Sequence, residues 1–203
     1  MKVIGEVIEG ELNKLVVALH SPKVRPEAVQ PRLGDFVWIK TNEIRILGVV
    51  SHMRFHTREH PQPLGLTPEQ VKAVLPDIED VIYANVMKLV HVPVLGYFED
   101  GKAYHVTPPS LPNIHDEAYI ADDNIVKEFH QQENQLCINY LPRLLREDVE
   151  NKAEVLAVIY KRLHNILDLE LKEFLKQLNS AYQEARGEQL PTSFAMLLNR
   201  LIR

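Results

Sequence analysis

Three histidines recur at intervals of four residues, His52, His56 and His60, with Glu59 beside the last. A helix or a strand would put all three on roughly one side. Three neutral imidazoles and a water make a hydrolytic zinc site, so the alternative of a metal-dependent hydrolase on His52, His56 and His60 follows from the residue types. Zinc ligands, however, must converge on bonds of about 2 Å, and evenly spaced residues on one straight element diverge along it. Pro61 and Pro63 point instead to a loop. The favoured reading is a loop that faces a partner, made of His52, Arg54, Phe55, His56, Arg58 and His60, with no metal and no cofactor.

A second pattern imitates a nucleotide site. Gly96-Tyr97-Phe98-Glu99-Asp100-Gly101-Lys102-Ala103 matches the phosphate-loop pattern G-x-x-x-x-G-K and fails at the last position. Ala103 has no hydroxyl for magnesium, Glu99 and Asp100 would oppose the phosphates, and Pro108 and Pro109 follow where a helix should begin. A hairpin turning at Asp100-Gly101 fits better. The acidic groups Asp77-Glu79-Asp80, Asp116-Glu117 and Asp122-Asp123 have the residue types of a magnesium site but no spacing that forces convergence. Asp123 is expected to cap a helix. Cys137, the sole cysteine, lies among apolar neighbours with no adjacent base and is expected to be a buried thiol. Tyr160, Phe174 and Tyr182 fall at helical spacing and are expected to pack. The expectation is a protein that is not an enzyme.

Of 203 residues, 45% are hydrophobic and 25% charged, enough for one large domain or two small ones. The net charge of −5 argues against a protein that coats nucleic acid, which needs a clear excess of Lys and Arg. A weaker nucleic-acid surface on Arg54, Arg58, Lys14, Lys23, Arg25 and Arg32, with Phe55 stacking a base, remains as an alternative. One cysteine permits no intrachain disulfide, which fits a reducing compartment, and no apolar run approaches the roughly 18 residues that span a bilayer. A cytoplasmic location without membrane contact is the expectation.

The elements that must carry these residues begin with four short β-branched runs: Val3 to Ile8, Leu15 to Leu19, Phe36 to Lys40 and Arg45 to Val50. Gly10, Pro22 and Asn42 punctuate them. They predict strands of a small antiparallel barrel. From Ser51 the pattern pauses, and Thr67-Pro68-Glu69-Gln70 is a capping box that opens a short helical insertion near 67–76. Strand character returns over Asp80 to Val90, followed by the hairpin of Val94 to Phe98 with Ala103 to Thr107. Asp123 starts a helix to about Gln132. Leu136 to Tyr140 is ambiguous, with a last strand returning to the barrel as one reading.

Beyond Pro142 three amphipathic helices follow. The first runs from Asp148 to about Leu167, the second opens at Asp168 and stops at Gly187, and the third starts at Pro191-Thr192. The fold class is therefore α+β, a small N-terminal antiparallel β-barrel over 1–121 followed by a helical region over 122–203.

IGEVIEG at the N-terminus, a strand carrying VVAL, then RLGDFVWIK and ILGVV, resemble the HAS barrel of HerA-type DNA-processing ATPases, itself related to the N-terminal barrel of the ATP synthase α and β chains. VPVLGYFEDGKAYHVTPPSLPNIHDEAYIAD is similar to the closing part of that barrel, so the resemblance covers about the first 120 residues. It implies a docking module in DNA processing, an adaptor that binds an ATPase or a nuclease. Because the chain contains no G-K-[ST], the motor that follows such a barrel is missing from it. Apolar stripes on the three helices make a homo-oligomer a further expectation.

Overall fold

The structure is a computed structural model and describes residues 1–41, 43–57, 67, 69–70, 73, 86–132, 135–147, 149 and 151–202. The β-branched runs form β1 (Lys2–Glu11), β2 (Lys14–Leu19), β3 (Phe36–Lys40) and β4 (Arg45–Val49). They are joined by β5 (His52–Thr57), β6 (Val86–Glu99), β7 (Lys102–Tyr104) and β8 (Glu117–Ile120). Six of these close a ring in the order β1, β2, β6, β4, β3, β8 and back to β1, with every pairing antiparallel. The fold is thus an antiparallel barrel followed by helices, an α+β architecture.

Alternation along each strand fills two cores. Ile4, Val7, Leu15, Val17, Val37, Ile39, Ile46, Val90 and Val92 point inward and fill the barrel. Phe36, Trp38, Leu47, Val49, Leu95 and Phe98 point outward, and they are buried nonetheless because the helices cover that wall. Burial on both faces explains why Phe36 to Ile39 is an unbroken apolar run. Gly34 marks how close the cover lies: a Cβ there would fall 2.4 Å from the Val158 side chain.

The helical part comprises α1 (Asp123–His130), the short pair β9 (Gln131–Gln132) and β10 (Gln135–Leu136), α2 (Leu141–Arg146), α3 (Lys152–Leu167), α4 (Leu171–Arg186) and α5 (Thr192–Ile202). Several boundaries differ from those expected. Asp122, not Asp123, caps α1: its backbone is extended and its carboxylate accepts from the Ile125 N–H at 3.0 Å, while Asp123 sits in the first turn and pairs with Arg162 at 2.7 Å. Asp168 ends α3 rather than opening α4. Its φ of 54° is left-handed and its N–H donates to His164 O, a geometry aspartate tolerates.

Leu136 to Tyr140 does not return to the barrel, because the Cys137 N–H donates to His130 O and the chain turns Ile138 and Tyr140 into the helical core. Cys137 itself is only half-buried. Gly187 stops α4 as expected. Asp148 lies outside the described residues.

The largest difference concerns the stretch after Ser51, where a loop is expected and a strand is found. β4 and β5 are successive parts of one path along β6: Arg45 to Gly48 pair with Phe98 to Val94, and His52 to Thr57 pair with His91 to Val86. The register shifts by one between Leu47 and Gly48, a bulge where the path bends. Thr67 and Gln70 form the expected capping box: the Thr67 N–H donates to Gln70 Oε1 at 2.9 Å and the Gln70 N–H to Thr67 Oγ1 at 3.3 Å. Glu69, Gln70 and Ala73 are helical, whereas the other residues of that predicted helix, and Asp80 to Asn85 of the predicted strand, lie outside the described residues.

Candidate functional site

The bend in the β4–β5 path decides what the expected binding residues can do. β4 is flanked by β3 and β6, whereas β5, among the described residues, has β6 as its one paired neighbour. Pairing of β2 with β6 starts at Leu89. Phe55 to Thr57 with Val86 to Lys88 therefore form a two-stranded ribbon running on beyond the barrel wall, by about 10 Å for three residues.

Alternation gives the ribbon two unlike faces. His52, Arg54 and His56 share one, with Met87 opposite His56. Met53, Phe55 and Thr57 share the other, where the Lys88 ammonium stands 6.0 Å from the Phe55 ring centroid. Phe55 is 69% exposed, Met53 44% and Met87 38%. None of these three large apolar side chains belongs to either core cluster. Arg58 and His60 lie outside the described residues.

The structure thus brings His52, Arg54 and His56 together on one face and turns Phe55 to the other. His52 and His56 are four strand residues apart, about 13 Å between Cα atoms, too far to share one ion. No group of three or more metal-ligating side chains converges among the described residues.

At the ribbon root, Asn13, Lys14, Ser51, His52, His91, Pro93, Glu147 and Val149 line a cavity of about 10 Å³, room for one water. Serine, histidine and glutamate occur here together, but not as a nucleophile and its base. Ser51 Oγ donates to the His91 backbone carbonyl at 3.3 Å, and Glu147 accepts from Asn13 Nδ2 at 2.8 Å. The His52 and His91 rings meet edge to face at 5.5 Å. The Asn13–Glu147 bond ties the β1–β2 turn to the end of α2, and the other two contacts hold the start of β5 against β6.

Several of the other acidic and basic candidates have structural partners. Glu117 accepts from Tyr119 Oη and from Arg25, which together hold its carboxyl below the usual range. Arg25 also binds Glu27 at 2.7 Å within the loop after β2, and its pair with Glu117 fastens that loop to β8. Asp116 accepts from the Asn113 N–H at 2.8 Å. Asp77, Glu79 and Asp80 lie outside the described residues. The phosphate-loop imitation is the β6–β7 hairpin, with Asp100 at φ 49° and Gly101 at φ 74° in the turn, so its backbone does not form an anion cradle.

One chemistry-bearing cluster escapes the sequence reading. His130 is wholly buried, its Nδ1 2.8 Å from Val126 O and its Nε2 2.9 Å from Tyr140 Oη. The carbonyl can only accept, so Nδ1 carries the proton and Nε2 accepts from the tyrosine hydroxyl. Burial pushes His130 down to about 3 and Tyr140 upward. His105 stacks on Phe129 at 4.3 Å; it accepts from the Asn139 N–H at Nδ1 and donates from Nε2 to Phe129 O. Both imidazoles are thus neutral and saturated, which suits packing rather than proton transfer. IVKEFH, apolar at helical spacing up to its histidine, carries the only sequence signal.

No protein-family model matches the chain, and no curated protein is similar to it. No helix among the described residues is long and apolar enough to cross a membrane.

Proposed function

We propose that the chain is a non-catalytic binding protein that offers the β5–β6 ribbon to a macromolecular partner. The observation that carries this reading is the ribbon itself, whose β5 is an edge strand among the described residues and which displays Phe55, Met53 and Met87 beside Arg54 and Lys88. Exposed apolar groups grouped in this way favour association. The resemblance to the HAS barrel adds an expectation about the partner, an ATPase or nuclease of a HerA-type DNA-processing system, with this protein as adaptor.

A second reading is self-assembly. The outer side of α5 exposes Met196 (68%) and Leu197, an apolar surface that a second copy would cover.

The test is capture of the tagged protein from its native extract, with and without nuclease, beside an Arg54→Glu, Phe55→Ser double variant. Both side chains are exposed, so the variant keeps its stability within about 0.5 kcal/mol. Proteins that survive nuclease treatment and disappear with the variant support the reading. Equal recovery by both forms removes it. Nucleic acid that is lost at high salt moves the assignment to nucleic-acid binding.

A further inference from the structure

We infer that the occupant of the ribbon is an extended polypeptide segment, acidic and apolar at alternate positions, that adds to β5 as a further strand. This rests on the reading of the ribbon as the contact surface and says what that surface selects.

The argument starts from the strand edge. Among the described residues β5 is the last strand of its sheet, and an unpaired edge is a template for another chain's backbone. Charge then selects. The described ribbon, His52 to Thr57 with Val86 to His91, contains Arg54, Lys88 and three histidines and no carboxylate, in a chain whose net charge is −5. A local cationic surface on an acidic protein is complementary to an acidic partner.

Alternation converts that charge into a pattern. In an added strand, the residue opposite Arg54 shares the face of His52, Arg54 and His56, where a carboxylate is favoured. Its neighbours share the face of Met53 and Phe55, where an aliphatic or aromatic side chain covers apolar surface. The preferred segment therefore reads acidic, apolar, acidic, apolar over about six residues. Two firm cations on a flat strand are few for a nucleic-acid track, whereas three exposed apolar side chains suit a peptide.

The test uses the full chain and three synthetic heptapeptides: alternating Glu and Val, the same composition in blocks, and alternating Lys and Val. Binding is read by calorimetry and by amide hydrogen exchange. The alternating Glu-Val peptide is expected to bind at least about tenfold more tightly than either control and to slow exchange at amides of His52 to Thr57. Arg54→Glu should weaken it about tenfold and improve the Lys-Val peptide. N-methylation of alternate peptide nitrogens should abolish binding in one phase of the alternation and spare it in the other, which a purely ionic contact would not do.

Equal binding of alternating and block peptides, or tight binding unmoved by Arg54→Glu, overturns the inference. So does a single-stranded oligonucleotide that binds the ribbon more tightly than the Glu-Val peptide. If the peptides fail while cellular partners are still lost with the Arg54→Glu, Phe55→Ser variant, this inference falls and the binding reading stands. If both fail, the ribbon is not the surface.

Discussion

The hydrogen bond from Tyr140 to His130 concentrates a large energetic risk in two side chains. Neither reaches water, so a hydroxyl left without its acceptor carries its full desolvation cost. His130→Leu is expected to lower stability by about 2 kcal/mol in denaturant titration, and adding Tyr140→Phe to restore part of that loss, because removing both polar partners is cheaper than removing one. The same histidine sets a pH response. Its native value of about 3 lies below the ordinary 6.5, so between these values the unfolded chain binds the extra proton. Stability is therefore complete above about pH 6.5 and declines as the pH falls toward 3, by at most about 1.4 kcal/mol per unit from this group. Burial pushes His105 in the same direction. Stability measured at pH 7 and pH 5 should differ less in His130→Leu than in the parent protein.

At the scale of elements, β6 is the strand on which the others depend, since its 14 residues pair with β2, β4, β5 and β7. The bulge at Leu47–Gly48 in β4 bends its partner path, and Gly48 sits at the closest approach: a Cβ there would stand 2.4 Å from Val92 Cγ1 and 2.7 Å from Pro93 O. Gly48→Ala is expected to cost about 2 kcal/mol or more, because a backbone oxygen cannot turn away as a side chain can. Its thermal midpoint would fall, whereas Phe55→Ser on the ribbon would leave it unchanged. The same bend limited what the sequence could disclose. Val3 to Ile8 and Phe36 to Lys40 announce strands through β-branched density, but HMRFHT has one apolar group per turn of alternation and no partner pattern until its register on β6 is known. Arg54, Phe55 and His56 are candidates by residue type alone. Their division between two faces is not legible there, because it depends on a strand where Pro61 and Pro63 point to a loop.

At the scale of the molecule, the helices and the barrel share a core. Phe36, Trp38 and Leu47 of the barrel lie in one apolar cluster with Leu156, Ile159 and Phe174 of the helices. Residues 1–121 produced alone would expose that wall, so this fragment is expected to aggregate or to remain partly folded, as dye binding and light scattering would reveal. In the intact chain, Trp38 is the sole tryptophan and reports the shared wall. Its fluorescence transition in denaturant should coincide with the loss of helical circular dichroism, while two separated transitions would mean independent units. Amphipathic spacing makes the helices readable, yet the buried surface of α3 takes in Ala153, Val155, Leu156, Ala157, Ile159, Tyr160 and Leu163, more than one stripe. Contact with several elements at once widens the buried arc, and no single-helix periodicity encodes which neighbours those will be.

The continuity of β4 and β5 along one partner strand also has a mechanical meaning. A load applied along β5 passes into the β4–β6 ladder parallel to its strands, so the cross-strand hydrogen bonds resist sliding together instead of opening one after another. The ribbon is thereby anchored in the barrel wall, and tension along it would load the ladder in shear instead of peeling the barrel open.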